Sequence, residues 1–241
     1  MPVRTAAAPG AALAGPRLRI GIARDRAFGF YYPDDLEALH AAGAELVPID
    51  TLHEASLPAL DGLIIGGGFP ETCLRELEAN ASLRHALQQA IQAGLPTYAE
   101  CGGLMYLARG IEWNGQRAQM VGAIPGDVLM HARPVGRGYV QLEETAAMPW
   151  AGGGEAVAGH EFHHSSLENV DPDVAFAYRV RRGHGVDGRH DGVRVHNLLA
   201  SYSHLRGGAG SHWPERFMAF VRQCRGVAPT ASGSADWRRA A

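Results

Sequence analysis

The sequence predicts an α/β domain with a mostly parallel sheet, covered by helices on both faces and extended by antiparallel strands. Three observations carry this. Apolar strand-like runs alternate with helical patterns from residue 18 to about 108. From about 120 to 204 the pattern changes to short alternating strands. Between the two, a glycine-flanked cysteine, Cys101, stands where a strand-like run meets a helical one.

In chain order, Leu18–Ala23 reads as a first core strand. Pro33–Ala42 reads as a helix, with Pro33 near its start, Leu36 and Leu39 on its apolar side and Gly43 at its end. Leu46–Ile49 and Leu63–Ile65 are short strands, the latter running into Gly66-Gly67-Gly68-Phe69-Pro70-Glu71. A helical pair is expected over 70–79 and 82–93, then a strand over 95–99 and a helix from Gly102 to about Ala108. Gly126–His131, Tyr139–Glu143, Glu155–Phe162, Phe176–Val180 and Val193–His196 are the expected antiparallel extensions, with a Gly152-Gly153-Gly154 loop between two of them. Pro214–Cys224 closes the domain as a helix with Phe217, Phe220 and Val221 inward. Residues 1–16, rich in Ala, Pro and Gly, read as a flexible linker, 17–225 as the folded domain, and 226–241 as a disordered tail.

Composition removes several functions. Hydrophobic residues make up 46 % and charged residues 20 %, the balance of a soluble globular protein. Net charge is −3 and no long basic run occurs, so nucleic acid is not indicated. The densest basic cluster, Arg179, Arg181 and Arg182, reads as a solvated strand face. No stretch reaches the roughly 20 apolar residues of a membrane span. Three widely spaced cysteines form neither a disulfide framework nor a metal pair, which fits a reducing cytoplasm. The chain has no lysine, so all 22 basic side chains are arginine and a phosphate-binding loop of the GxxxxGK[ST] type is impossible.

The elbow at Cys101 carries the chemistry. A strand-to-helix turn exposes the sulfur, and the helix N-terminus favours a thiolate. Gly102 and Gly103 clear space for a substrate, and the backbone N–H after the cysteine can bind an oxyanion. Gly66-Gly67-Gly68 ends an earlier strand, where ligand loops of open α/β sheets lie. Twelve histidines compete for the role of base. His204 leads, because Ala200-Ser201-Tyr202-Ser203-His204 follows an apolar run that could return as a strand beside the elbow. Residues 160–164 match HExxH, but zinc binding by His160 and His164 requires a helix, and this segment alternates like a strand among glycines.

Gly66–Glu71, Tyr98–Tyr106 (Tyr-Ala-Glu-Cys-Gly-Gly-Leu-Met-Tyr), Gly159–His163 (Gly-His-Glu-Phe-His) and Ala200–Leu205 occur in that order over about residues 17–224. Together they resemble the glutaminase domain of the cobyrinic acid a,c-diamide synthase family, among the cobyrinate/cobyrate-type class I glutamine amidotransferases. The resemblance implies a flavodoxin-like three-layer fold and hydrolysis of glutamine to glutamate and ammonia. It implies Cys101 as nucleophile and His204 as general base and acid. Gly67, Gly68, Phe69 and Gly102 would supply oxyanion and substrate contacts, and His160, His163 and Ser165 would line the glutamine pocket, partly through backbone. No metal or cofactor is expected on this chain. ATP and Mg are expected on a partner synthetase domain or subunit that amidates a tetrapyrrole carboxylate, a corrinoid or a sirohaem-type one; a homodimer is compatible.

Some positions depart from the class. Arg206 stands where better-known class I enzymes carry a Glu two residues after the His, and Met105 where they carry a Gln four after the Cys. The synthetase half of the family enzyme does not occur in these 241 residues. A non-catalytic binding relative, a zinc metallopeptidase and a cysteine peptidase remain as alternatives at this point.

Overall fold

The computed structural model describes residues 17–150 and 156–226. The expected linker over 1–16, the Gly152–Gly154 loop and all but Gly226 of the expected tail lie outside the described residues.

The first half alternates strands and helices as its patterning requires. Leu18–Ala23 (β1), Ala44–Ile49 (β3), Gly62–Ile65 (β4) and Thr97–Glu100 (β6) are core strands, and Phe28–Phe30 (β2) and Gly67–Gly68 (β5) form a small antiparallel ribbon. Pro33–Ala41 (α1) begins on its proline and ends before Gly43, whose φ of +90° suits glycine. A 3-10 turn at Pro70–Cys73 leads into Leu74–Ala79 (α2) and Ala81–Gln92 (α3). The Asn80 side chain caps α3 by accepting from Leu83 N–H. Gly102–Leu107 (α4) follows β6 directly.

The second half is mostly strands: Gly110–Trp113 (β7), Gln116–Gln119 (β8), Asp127–Met130 (β9), Gly136–Glu144 (β10), Ala156–His163 (β11), Ser165–Glu168 (β12), Ala175–Arg182 (β13), His190–Val195 (β14), Leu198–Ser201 (β15) and His204–Leu205 (β16). Trp213–Arg225 (α5) closes the fold. Ten strands form one sheet in the order β16-β11-β10-β13-β14-β15-β6-β4-β1-β3. The run from β15 to β3 is parallel, and from β15 to β16 every pairing is antiparallel.

One expected extension belongs elsewhere. β9, which lies within the predicted strand Gly126–His131, joins β12, β7 and β8 in a separate four-stranded sheet. The hairpin β7–β8, unmarked by strong alternation, turns at Asn114-Gly115, both at positive φ, and presents its buried Ile111 and Ala118 to the core.

Side chains alternate across the main sheet. Ile20, Ile64, Tyr98 and Leu199 face one core with Leu39 of α1 and Phe217 and Val221 of α5. Leu63, Ile65, Ala99, Leu198 and Ala200 face the other, with Leu77, Leu83, Leu87 and Ile91 from α2 and α3 and Leu104 and Leu107 from α4. The result is three layers: helix, sheet, helix. Arg179 and Arg181 are exposed on β13 and pair with Glu143 on β10, the solvated face expected for them.

Candidate active site

The site lies beyond the carboxyl ends of β4, β6 and β15, where loops of parallel strands converge. β15 lies parallel beside β6, with Ser201 opposite Glu100. Cys101 N–H donates to Ser201 O at 2.7 Å, so the elbow is fastened to the returning strand. Cys101 has φ +47° and ψ −102°, a backbone state unusual for a residue with a Cβ. Its thiol is oriented toward Phe162 O, 3.9 Å away. α4 spans only six residues, so its dipole is short; the nearer cationic group is a side chain.

That group is His204. After β15 the chain bends at Tyr202 and Ser203, and the fully buried Asp191 clamps the bend. Its carboxylate accepts from Gly192 N–H at 2.8 Å and from Tyr202 N–H and Ser203 N–H at 3.0 Å each. Asp191→Ala would orphan these amides at about 1–3 kcal/mol each; we expect a loss of at least about 3 kcal/mol, read from the denaturant midpoint. The bend delivers His204 to β16, opposite His160 of β11.

The His204 ring is held on every side. Nδ1 lies 3.3 Å from Glu100 Oε2. The His160 ring stacks on it at 5.0 Å between centroids and 18° between planes. A Cβ at Gly67 would come within 2.7 Å of its Cε1, so only glycine leaves the ring its place. Burial pulls the imidazolium down, but hydrogen bonds to Cys101 and Glu100, and their charges, raise His204 from 6.5 to about 10. His160 moves the other way: burial, then the His204 charge, hold it below the ordinary imidazole range.

The glycine loop and the elbow touch through backbone. A Cβ at Gly102 would sit 2.7 Å from Gly68 O and 2.8 Å from Gly68 N. Two peptide groups thus converge beside Cys101, and the Gly102 amide lies in the first helical turn, where no intrahelical acceptor exists. Phe69 is different. Its N–H is committed to Ala27 O at 2.9 Å, and its half-exposed ring meets Phe30 edge-on at the rim.

Two expected pocket-lining side chains point inward. His163 is buried, stacks on Tyr202 at 4.0 Å and has Nδ1 2.7 Å from Ser165 O. The Ser165 hydroxyl, fully buried, donates to Tyr202 Oη at 3.1 Å. Alternation along β11 and β12 turns both side chains into the core, which leaves the backbone of this segment to face the site. The segment's contact with the nucleophile is the Phe162 carbonyl, a backbone group.

The HExxH match is a strand. Extended backbone places residues four apart at about 13 Å, against one turn in a helix. His160 stacks on His204, and Glu161 accepts from His184 N–H and Gly185 N–H, so neither is arranged as a zinc peptidase would need. Arg206 lies on the surface, paired with Asp34 at 2.9 Å and set over the Tyr32 ring. Met105 is buried within α4.

Glu100 and Asp191 were not assigned any role from sequence. Glu100 is the last residue of β6, directly before the nucleophile, a signal legible once β6 is a strand. Asp191 gave none, because its partners lie 11 and 12 residues away in the bend.

Residues 19–209 match the family described as the CobB/CobQ-like glutamine amidotransferase domain. The cobyrinate a,c-diamide synthase of Magnetococcus marinus is 44 % identical over 209 residues, 87 % of this chain and 45 % of that protein. That of Methanosarcina acetivorans is 42 % identical over 213 residues, 83 % of this chain and 42 % of that protein. This chain therefore spans less than half the length of these curated relatives. Among solved structures, PurLQS from Thermotoga maritima superposes with a TM-score of 0.63 at 18 % identity, over 87 % of this chain and 99 % of that one. A structure titled glutamine amidotransferase gives 0.59 at 20 % identity, over 86 % and 99 %. Both share the α/β fold.

Proposed function

The chain belongs to the CobB/CobQ-like glutamine amidotransferase domain family, and from that premise we propose that it hydrolyses glutamine and passes the ammonia to an ATP-dependent synthetase. The observation that carries the reading is the convergence of Cys101, on its strained elbow at the end of β6, with His204, delivered by the bend after the paired strand β15 and set against Glu100.

The thiolate of Cys101 attacks the side-chain carbonyl carbon of glutamine. The oxyanion that forms is met by the backbone N–H groups at Gly68 and Gly102. His204, as imidazolium, gives its proton to the departing nitrogen, and ammonia leaves a glutamyl thioester. Neutral His204 then takes a proton from water, whose oxygen attacks the thioester. The C–S bond breaks, glutamate leaves and gives its carboxyl proton to solvent, and the thiolate–imidazolium pair is restored. Because His204 holds its proton to about pH 10, we expect the basic limb of the kcat/KM profile for ammonia release near that pH. A limb near 6.5 would assign the step to an unperturbed imidazole.

The relatives' name, cobyrinate a,c-diamide synthase, supports a corrinoid acceptor. We place this chain in amidation of a corrinoid carboxylate in cobalamin biosynthesis. ATP and Mg bind the synthetase, since a chain without lysine cannot form the usual phosphate loop. Three free cysteines fit a reducing, cytoplasmic setting.

The test is ammonia release from glutamine by the purified chain, alone and with a synthetase half from such a relative, ATP and a corrinoid acid. Release that rises with the synthetase and yields the corrinoid amide is expected. Amidation of a sirohaem-type acid instead would move the acceptor to that class. No release in either condition from folded protein would reject the glutaminase reading.

A further inference from the structure

Resting on the glutaminase reading, we infer that Glu100 is the acidic positioning residue of this site, placed one position before the nucleophile instead of two after the histidine. The expected position is taken by Arg206, which faces solvent and pairs with Asp34. Glu100 is buried, 7 % exposed, and both its oxygens are occupied. Oε2 lies 3.3 Å from His204 Nδ1. Oε1 accepts from Leu205 N–H at 2.9 Å and from the Tyr98 hydroxyl at 2.5 Å.

These contacts have separate effects. Tyr98 and Glu100 alternate on β6, so the strand aims both side chains to the same face, and the hydroxyl steadies the carboxylate. The Leu205 amide ties the backbone beside His204 to the same carboxylate. With Nδ1 turned to Glu100, Nε2 is the nitrogen left for the thiol. The acid therefore sets both the orientation of the ring and which nitrogen serves Cys101, the role of an orienting carboxylate in any nucleophile–histidine–acid arrangement. Sequence adjacency makes this compact: acid and nucleophile leave one strand end, and His204 enters between them from β16.

The other titratable or charged groups around the pair are few. Cys101 and His160 face His204. Tyr98 binds Glu100, whose charge also reaches Tyr31, Tyr32 and Asp35. Arg206, stacked over Tyr32, lies on the solvent side. Glu100 is the carboxylate in contact with the imidazole, and its removal should register there first.

The experiment is an NMR titration of the His204 ring in the full chain, with its signal assigned from His204→Gln, beside the pH profile of ammonia release. Wild-type His204 is expected to titrate near pH 10. In Glu100→Gln, near-isosteric but uncharged, the midpoint should fall by at least about one unit, a tenfold change. kcat should fall about 10²-fold, with the basic limb following. Glu100→Asp should recover part of both. An unchanged His204 midpoint in Glu100→Gln, or the same lowered midpoint in Glu100→Asp, overturns the assignment. If Glu100→Gln does not fold, Glu100→Asp carries the test: a His204 midpoint below that of wild type supports the role and an unchanged midpoint overturns it. A wild-type chain that releases no ammonia, yet whose His204 responds to Glu100, rejects the glutaminase reading and upholds the positioning role.

Discussion

Replacing Cys101 with alanine is expected to reduce glutamine-dependent ammonia release to background. A Cys nucleophile has no substitute within reach: Cys73 is buried in the core and Cys224 sits at the far end of α5. Losses near 10⁶-fold are seen when a nucleophile acting in concert with its base is removed. The fold should tolerate the change. Alanine keeps the Cβ at φ +47°, so the strain of the elbow is unaltered, and only the thiol contacts with Phe162 O and His204 are lost. Stability within about 1 kcal/mol of wild type is expected. Ammonia is measured by a coupled dehydrogenase assay, and the fold by circular dichroism and thermal melting. Release at the wild-type rate would remove Cys101 as nucleophile.

Gly68→Ala should be nearly as damaging for a different reason. A Cβ there would lie 1.9 Å from Ala27 O and 2.9 Å from Phe28 Cα, both backbone atoms that cannot swing aside. The loop must move outward by about 1 Å or more, breaking the pairing of β5 with β2. Because Gly102 rests on Gly68, the two peptide groups beside the nucleophile would separate. Loss of one oxyanion donor costs about 10²–10³ in rate, and overpacking costs about 1–3 kcal/mol of stability. Gly29→Ala is the control, since nothing lies within 4 Å of the Cβ it would add on the neighbouring strand. Equal activity in Gly68→Ala and Gly29→Ala would show that the loop does not position the reacting groups.

Much of this site was legible because it depends on local chemistry. Cys101 between a strand and two glycines, and the glycine loop after β4, are patterns within a few residues. The late apolar run was expected to return beside the elbow, and β15 does so in register with β6. The inward turn of His163 and Ser165 was not legible, since it depends on which face of β11 and β12 meets the core. Nor was the second sheet: β9 alternates as well in a separate four-stranded sheet as in an extension of the main one.

The amino-acid sequence by itself determined the parallel half of the sheet, the elbow and its nucleophile, the lack of a lysine phosphate loop, and the family, because each rests on short-range pattern or composition. Only the tertiary structure decided which groups serve Cys101. Glu100, His160, Asp191 and His204 come from four different strands or bends, and the hydrogen bonds that give them roles span up to 105 residues. Such partnerships exist only after the strands pair, because charge and hydrogen bonding act over a few ångströms in space, whatever the separation along the chain.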